Sequence, residues 1–452
     1  MSTVEVATGG AGLLPRQSTF RYPIVESADG VWLKLADGRR ILDACSGGSM
    51  TSCLGHGNDA AIAAAAEQGA LLSYSYSHHF TNEPQELLAR ELIERAAPSM
   101  ARVRFASGGS EANETALRLI RSYHVERGDE DRLRVISPAQ AYHGSLTGTL
   151  ALSGRPSLRQ GWDPYLAEQP HLSPVVFRED PSGAAALALL DELLEECGPG
   201  NVAAYFCEPI SAAAMPAFSP PVGFWEGLAE RRERHGFLIC CDEIVTGMGR
   251  TGTWFASDRL PFQPDIVTTG KGLGAGYAPL SAVLCTEGVY AALDNGSGDF
   301  DHGHTWDGAP LPCAVGRAVL AELVDRDLVG RVDREGPGLL DRLSDRIGSL
   351  EMVREVRGAG FLLGAELVDP RDGASPLPPD LDLERLVVEQ GLEAEVLLAA
   401  TSTSADGLVG DQLVLAPAFT AEIDELALMV DRAGEALAAV ESSILAGPGA
   451  GT

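Results

Sequence analysis

Lys271 is one of only two lysines in a chain that carries 34 basic side chains; the other is Lys34, and the remaining 32 (34 − 2) are arginines. An amine can lose its proton and attack a carbonyl carbon, whereas a guanidinium stays protonated and cannot. A chain that draws its positive charge almost wholly from arginine keeps lysine where the chemistry needs an amine. Lys34 lies beside Asp37 and Arg39 and reads as a surface residue. Lys271 follows the short apolar run Ile266-Val267 and is flanked by Gly270 and Gly272.

Other reactive side chains fall at comparable places. Asp242 closes the run Phe237-Leu238-Ile239-Cys240-Cys241, which holds nothing more polar than two thiols. A carboxylate there is costly unless paired. Its partner is either Arg250 or a protonated ring nitrogen of a cofactor. Ser107-Gly108-Gly109-Ser110 joins a strand to a helix start, where free N–H groups and the Ser110 hydroxyl suit a phosphate. Taken alone, the same residues serve equally as a serine N-cap with Glu111 in the first turn. Tyr142-His143-Gly144 offers an aromatic ring after another strand, and Glu208 ends the run Val202 to Cys207. An amine, a carboxylate and a phosphate-binding helix end at neighbouring strand ends are the parts needed to hold pyridoxal phosphate, with Lys271 as the Schiff-base lysine.

The elements that must position these groups follow from pattern. Short apolar runs at 103–106, 134–137, 202–207, 237–241, 266–267 and 280–284 alternate with helical stretches at 111–127 and 224–235. That alternation predicts an α/β fold whose large domain is a mostly parallel sheet covered by helices. Val31 to Leu35, the turn Asp37-Gly38 and Arg40 to Asp43 predict a small antiparallel unit, with helices at 60–70 and 84–97. Toward the C-terminus the pattern predicts helices at 315–323, 338–350 and 423–445, and strands at 360–367 and 413–415. The expected organisation is a mobile arm over 1–18, a small-domain part over 19–70, the large domain over 71–315 and a smaller α+β domain over 316–452. The glycine-rich end 447–451 is expected to fray.

A net charge of −30, from 64 acidic and 34 basic residues, argues against nucleic-acid binding, because no cationic excess is there to neutralise phosphates. Eight cysteines without CxxC spacing are neither a disulfide framework nor a metal site and read as reduced thiols. No run of about 18 apolar residues could span a membrane, and no basic-then-apolar leader pattern opens the chain. A cytoplasmic location is therefore expected.

Several long stretches resemble the class III (omega) aminotransferases of the fold-type-I pyridoxal-phosphate enzymes. They are Ser110 to Ala116, Asp242 to Gly252, the Lys271 loop through Val283, and Phe300-Asp301-His302-Gly303-His304-Thr305. The resemblance covers nearly the whole chain. It implies that Lys271 carries the cofactor as a Schiff base and shuttles a proton between substrate and cofactor. It implies that Asp242 pairs with the pyridine nitrogen, that Tyr142 and Ile244 hold the two ring faces, and that Gly109 and Ser110 hold the phosphate. Glu208 would lie near the cofactor hydroxyl, although a capping or salt-bridged acid is the alternative. Thr305 would reach the phosphate of a neighbouring subunit, so a homodimer is implied.

The departures bear on substrate. Family members acting on ornithine or 4-aminobutyrate carry arginine where this chain has Ser145, and tend to carry one near Val414. The mobile arginine of amine-type members is also missing from Ala400 to Ser404, and Trp306-Asp307-Gly308-Ala309-Pro310 departs from the common pattern. The expectation is an aminotransferase moving an amino group from a primary amine or omega-amino compound to a keto acid, with 4-aminobutyrate and ornithine poor donors. Arg155 and Arg159, after the Tyr142 loop, are candidates for the acceptor carboxylate. The same residues leave open an aminomutase or decarboxylase. A non-enzymatic phosphate binder is weaker, because Gly270-Lys271-Gly272 lacks the hydroxyl residue that follows a P-loop lysine.

Overall fold

The computed structural model describes residues 14, 20, 22–173, 177, 180–212, 215, 217–403 and 410–447. The arm expected over 1–18 lies, but for Leu14, outside them, as do residues 448–451. In chain order the strands are β1 Val25–Asp29, β2 Trp32–Leu35, β3 Arg40–Asp43, β4 Met100–Ala106, β5 Arg134–Pro138, β6 His171–Leu172, β7 Val202–Cys207, β8 Leu238–Glu243, β9 Ile266–Thr269, β10 Ser281–Thr286, β11 Val353–Ala359, β12 Leu362–Leu367, β13 Val396–Leu397, β14 Ala399–Thr401 and β15 Asp411–Leu415.

Seven of them form the central sheet, in the order β4-β10-β9-β8-β7-β5-β6. From β6 to β9 the neighbours are parallel, and β10 is antiparallel to both β9 and β4. Two antiparallel steps cancel, so β4 runs with β9 and its carboxyl end meets the same sheet edge as theirs. Every residue of β7 and β8 is buried, as strands covered on both faces must be. The helix α1 spans Asp59–Leu71, α2 Glu83–Ile93 and α3 Gly109–Glu126. Helix α3 buries Ala112, Ala116, Leu119 and Ile120 at helical spacing against the sheet. It also buries Asn113 and Thr115 in its first two turns, where the sheet edge carries polar groups.

Both chain ends add to this core. The sheet β1-β2-β3-β13 joins an N-terminal meander to one C-terminal strand, and β11-β12-β15-β14 is a second C-terminal sheet. Among the described residues no helix is long and apolar enough to cross a membrane.

The structure revises several boundaries. Strand β8 runs through Asp242 and Glu243 because their pairing with Thr268 and Thr269 of β9 continues to the end. Helix α3 starts at Gly109 with Gly108 as its N-cap and no side-chain cap, so Ser110 is not the capping residue. The stretch expected as one strand over 360–367 is a turn at Gly360 (φ 56°) followed by β12. The helix expected over 338–350 spans Leu328–Ile347 and continues through Pro337. Its buried stripe Val332, Leu339, Leu343 and Ile347 outweighs the one helical hydrogen bond that the proline lacks.

Arg250 ties the terminal segments to the large sheet. It is 1% exposed and donates to the carbonyls of Phe361 (3.2 Å) and Pro417 (2.5 Å) and to the Ser46 hydroxyl (3.2 Å). Its guanidinium lies 4.5 Å from the Phe419 ring centre. The loop that carries it is fixed by Glu243, which accepts from Ala256 N, Ser257 N, Ser257 Oγ and Thr246 Oγ1. Arg250→Met should orphan two buried carbonyls and lower stability by about 3–5 kcal/mol. Urea denaturation checks this; an unshifted midpoint would show that water takes the place of the guanidinium.

Candidate active site at the carboxyl edge of the central sheet

The register Cys207↔Cys241 and Glu243↔Thr269 brings the ends of β7, β8 and β9 level. Glu208, Asp242 and Lys271 therefore converge from three adjacent strands. Lys271 opens a tight turn, Lys271–Leu273, with φ 40°, a conformation few side chains other than glycine adopt. Its ammonium makes no hydrogen bond among the described residues. Burial pushes it down to about 8, against the pull of the Asp242 and Glu208 carboxylates and with some help from Arg250.

Asp242 is 4% exposed and fully engaged. Its Oδ2 accepts from His143 Nδ1 and from Asn113 Nδ2, both at 2.7 Å, and its Oδ1 accepts from Ile244 N at 3.0 Å. Asn113 is held in turn by Thr268 Oγ1 (2.7 Å) and donates to the His143 carbonyl. His143 N donates to Ser153 Oγ at 3.0 Å, while its Nε2 is buried with no hydrogen-bond partner among the described residues. Arg250 is not the partner of Asp242; its hydrogen bonds go to the terminal segments. Asn113 and His143 were missing from the sequence-derived site. Both stand inside motifs singled out there, but nothing in their spacing indicates a shared carboxylate.

Glu208 is half-buried and accepts from Ala212 N (3.3 Å) and Ser211 Oγ (3.4 Å). Burial pushes it up to about 7; Asp242 adds to the shift, and His143 and the backbone N–H groups of Ala212 and Tyr142 oppose it. Ile244 packs between two glycines. A Cβ on Gly109 would stand 2.9 Å from its side chain, and one on Gly270 3.2 Å. Ser110 meets the Tyr142 loop: its hydroxyl accepts from Ser145 N at 3.1 Å, and Ser145 Oγ lies 3.2 Å from the Tyr142 hydroxyl. Tyr142 is 38% exposed.

Seven of the eight singled-out residues thus share one sheet edge. Thr305 stands on a separate surface segment. Its carbonyl accepts from Tyr74 Oη (2.9 Å), and both it and Trp306 are exposed. Arg104 anchors that segment through the His302 carbonyl and Asp307. Of the two arginines after the Tyr142 loop, Arg159 pairs with Asp163 (3.3 Å) and His171, whereas Arg155 is 7% exposed and donates to the Ser402 carbonyl at 2.7 Å.

Beside Glu208 an apolar wall forms from Met50, Ala212, Leu362, Val414 and Ala416, with Val245 and Ala399 packed against it. This arrangement can hold an aromatic cofactor flat against Ile244, offer an amine that gives up its proton more readily than an ordinary lysine, and keep a carboxylate dry.

The family model described as aminotransferase class-III matches residues 14–437. The chain is 31% identical over 438 residues to the uncharacterized aminotransferase YodT of Bacillus subtilis, covering 96% of this chain and 98% of that protein. It is 32% identical to gamma aminobutyrate transaminase 2 of Solanum lycopersicum, covering 93% and 92%. An amine transaminase from an uncultivated Pseudomonas species, solved in its PLP-bound form, superposes with a TM-score of 0.87 at 31% identity, covering 95% of this chain and 99% of that one.

Proposed function

This chain belongs to the class III aminotransferases, pyridoxal-phosphate enzymes of fold type I, and we propose that it moves an amino group from a primary amine to a keto acid at Lys271. The observation that carries the reading is the convergence of an amine whose proton burial loosens, a buried carboxylate and a glycine-floored slot on one sheet edge.

The residues present fit the cofactor. Gly109 and Gly270 leave room beside Ile244 that any Cβ would fill. The N-terminus of α3 and Ser110 would hold the phosphate. Ile244 and Tyr142 would hold the two ring faces, with Glu208 on the hydroxyl side. When bound, pyridoxal phosphate supplies an aldehyde carbon for the amino group and a pyridinium ring that takes up the donor's electron pair. Lys271 Nζ would bind that aldehyde carbon. Once displaced by the substrate amine, it would carry the proton from the donor carbon. Asp242, which accepts hydrogen bonds from His143, Asn113 and Ile244 N, would hold a proton at the pyridine nitrogen. Tyr142, on the open side, would shed water from the ring.

A second copy of the chain would present its Thr305 to this phosphate, making the enzyme a homodimer. The outward-facing Thr305 and the 56% exposed Trp306 support that reading. All eight cysteines are free, which suits the reducing cytoplasm.

The donor proposed is an amine without a carboxylate. The tomato relative is named for gamma-aminobutyrate, but here Val414 faces an apolar cluster and Ser145 is bound to Ser110. Neither offers a cation to a buried carboxylate. The test is a panel of 1-phenylethylamine, 4-aminobutyrate and ornithine against pyruvate and 2-oxoglutarate, with oligomeric state followed by sedimentation. The expected result is one amino acid formed per keto acid consumed, best with the amine that lacks a carboxylate, in a species of twice the chain mass. Amine loss without amino-acid formation would sink the transfer reading, and preferred use of 4-aminobutyrate would sink the donor reading.

A further inference from the structure

Asp242 and Thr268 stand opposite each other on β8 and β9, and residues paired in register turn their side chains to the same face of the sheet. Asn113 of α3 meets both of them on that face, and all three residues are buried. The chemistry of the groups fixes their roles. The amide oxygen of Asn113 only accepts, so the Thr268 hydroxyl donates to it at 2.7 Å. The two amide hydrogens go to Asp242 Oδ2 and to the His143 carbonyl, each at 2.7 Å. Reversing the amide would set its oxygen against a carboxylate and a carbonyl.

The two oxygens of Asp242 are therefore unequal. Oδ2 accepts from Asn113 and from His143 Nδ1, which fills both of its lone-pair sites. Among the described residues Oδ1 accepts only from Ile244 N, at 3.0 Å, and keeps one site open.

We propose that Asn113 and Thr268 are positioning residues for the reaction: with His143 they occupy Asp242 Oδ2 and leave Oδ1 as the oxygen that meets the ring nitrogen of the cofactor. This rests on the transaminase reading. Contacts on both oxygens hold the carboxylate against rotation about its Cβ–Cγ bond. A hydrogen bond weakens steeply as it bends, so a carboxylate free to turn holds the ring proton less well. Thr268 acts one step further out. Without its hydroxyl the Asn113 oxygen is a buried acceptor lacking a donor, and the amide loses the contact that steadies it.

The experiment uses the holoenzyme loaded with pyridoxal phosphate labelled with heavy nitrogen in the ring, whose NMR signal reports whether that nitrogen carries a proton. The unsubstituted enzyme should give the protonated signal. Thr268→Val keeps the side-chain shape and removes the hydroxyl. The signal should then move part of the way toward the unprotonated position. Turnover with 1-phenylethylamine and pyruvate should fall about 10-fold, the effect of one hydrogen bond, with KM for the amine within about twofold. Thr268→Ser, which restores the hydroxyl, should recover both. Asn113→Ala should act in the same direction and more strongly, and it serves alone should Thr268→Val not fold. Thr269→Val is the control. The Thr269 hydroxyl is buried with no partner among the described residues, and alternation along β9 puts it on the other face of the sheet, so signal and turnover should hold. An unmoved signal in the folded Thr268 and Asn113 variants, an equal shift in Thr269→Val, or an unprotonated ring in the unsubstituted enzyme would overturn the assignment. Failure of the unsubstituted enzyme to react with the amine in a single turnover would instead strike the transaminase reading.

Discussion

Lys271→Arg is expected to cut turnover by about 10³-fold or more while the chain stays folded. The substitution keeps the charge and most of the side-chain volume but removes the only side-chain amine at the site. The depressed Lys271 explains why an amine can serve here at all. An ordinary lysine is almost wholly protonated near neutrality, whereas burial brings this one down to about 8. The unprotonated amine is the nucleophile, and its fraction rises as pH climbs through that value. Attachment of pyridoxal phosphate to the cofactor-free protein should therefore accelerate from pH 7 to 9 and level off above, as followed by absorbance. The arginine variant should bind the cofactor without covalent attachment at any pH in that range. Turnover near that of the unsubstituted enzyme would mean that another group performs the chemistry.

Lys271 could be found from the sequence because its residue type was so scarce. The strand ends carrying Asp242 and Glu208 were legible for a related reason. A run of apolar residues that stops at a carboxylate marks both a buried strand and its exit. What could not be read were the relations between such ends. His143 and Asn113 meet Asp242 across 99 and 129 positions of chain, a juxtaposition that exists only once β8, α3 and the Tyr142 loop are packed. Arg250 shows the same limit in reverse: proximity in sequence suggested a pair with Asp242, yet the strand aims the carboxylate into the site and the following loop turns the arginine toward Phe361 and Pro417. Strand β11 escaped notice because Val353–Ala359 has no buried residue and two glutamate or arginine side chains among its exposed positions, so it lacks the alternation that betrays a strand. Arg155 had been picked out only as a cation near the Tyr142 loop; its burial against Ser402 depends on a contact spanning 247 positions.

Asp242→Asn is the second large effect expected, again about 10³-fold or more in turnover, with pyridoxal phosphate still bound. Two consequences follow from the geometry. The first is local. Asp242 Oδ2 accepts from His143 and Asn113 while Oδ1 accepts from Ile244 N. An asparagine amide has one acceptor and one donor end, so either orientation sets its NH₂ against an N–H, of Ile244 or of Asn113. Leaving such a buried donor unmet costs about 1–3 kcal/mol. The second is electrostatic and discriminates a chemical role from a structural one. Asp242 is the strongest influence holding the Lys271 proton in place. Neutralising it favours the unprotonated amine, so the pH midpoint for cofactor attachment should fall below about 8 even as turnover collapses, because no anion remains to hold a proton at the pyridine nitrogen. Asp242→Glu, which retains the charge, should keep the midpoint near 8 and lose less turnover. A midpoint that stays at about 8 in Asp242→Asn would show that Lys271 does not feel this carboxylate, and unchanged turnover would remove Asp242 from the reaction altogether.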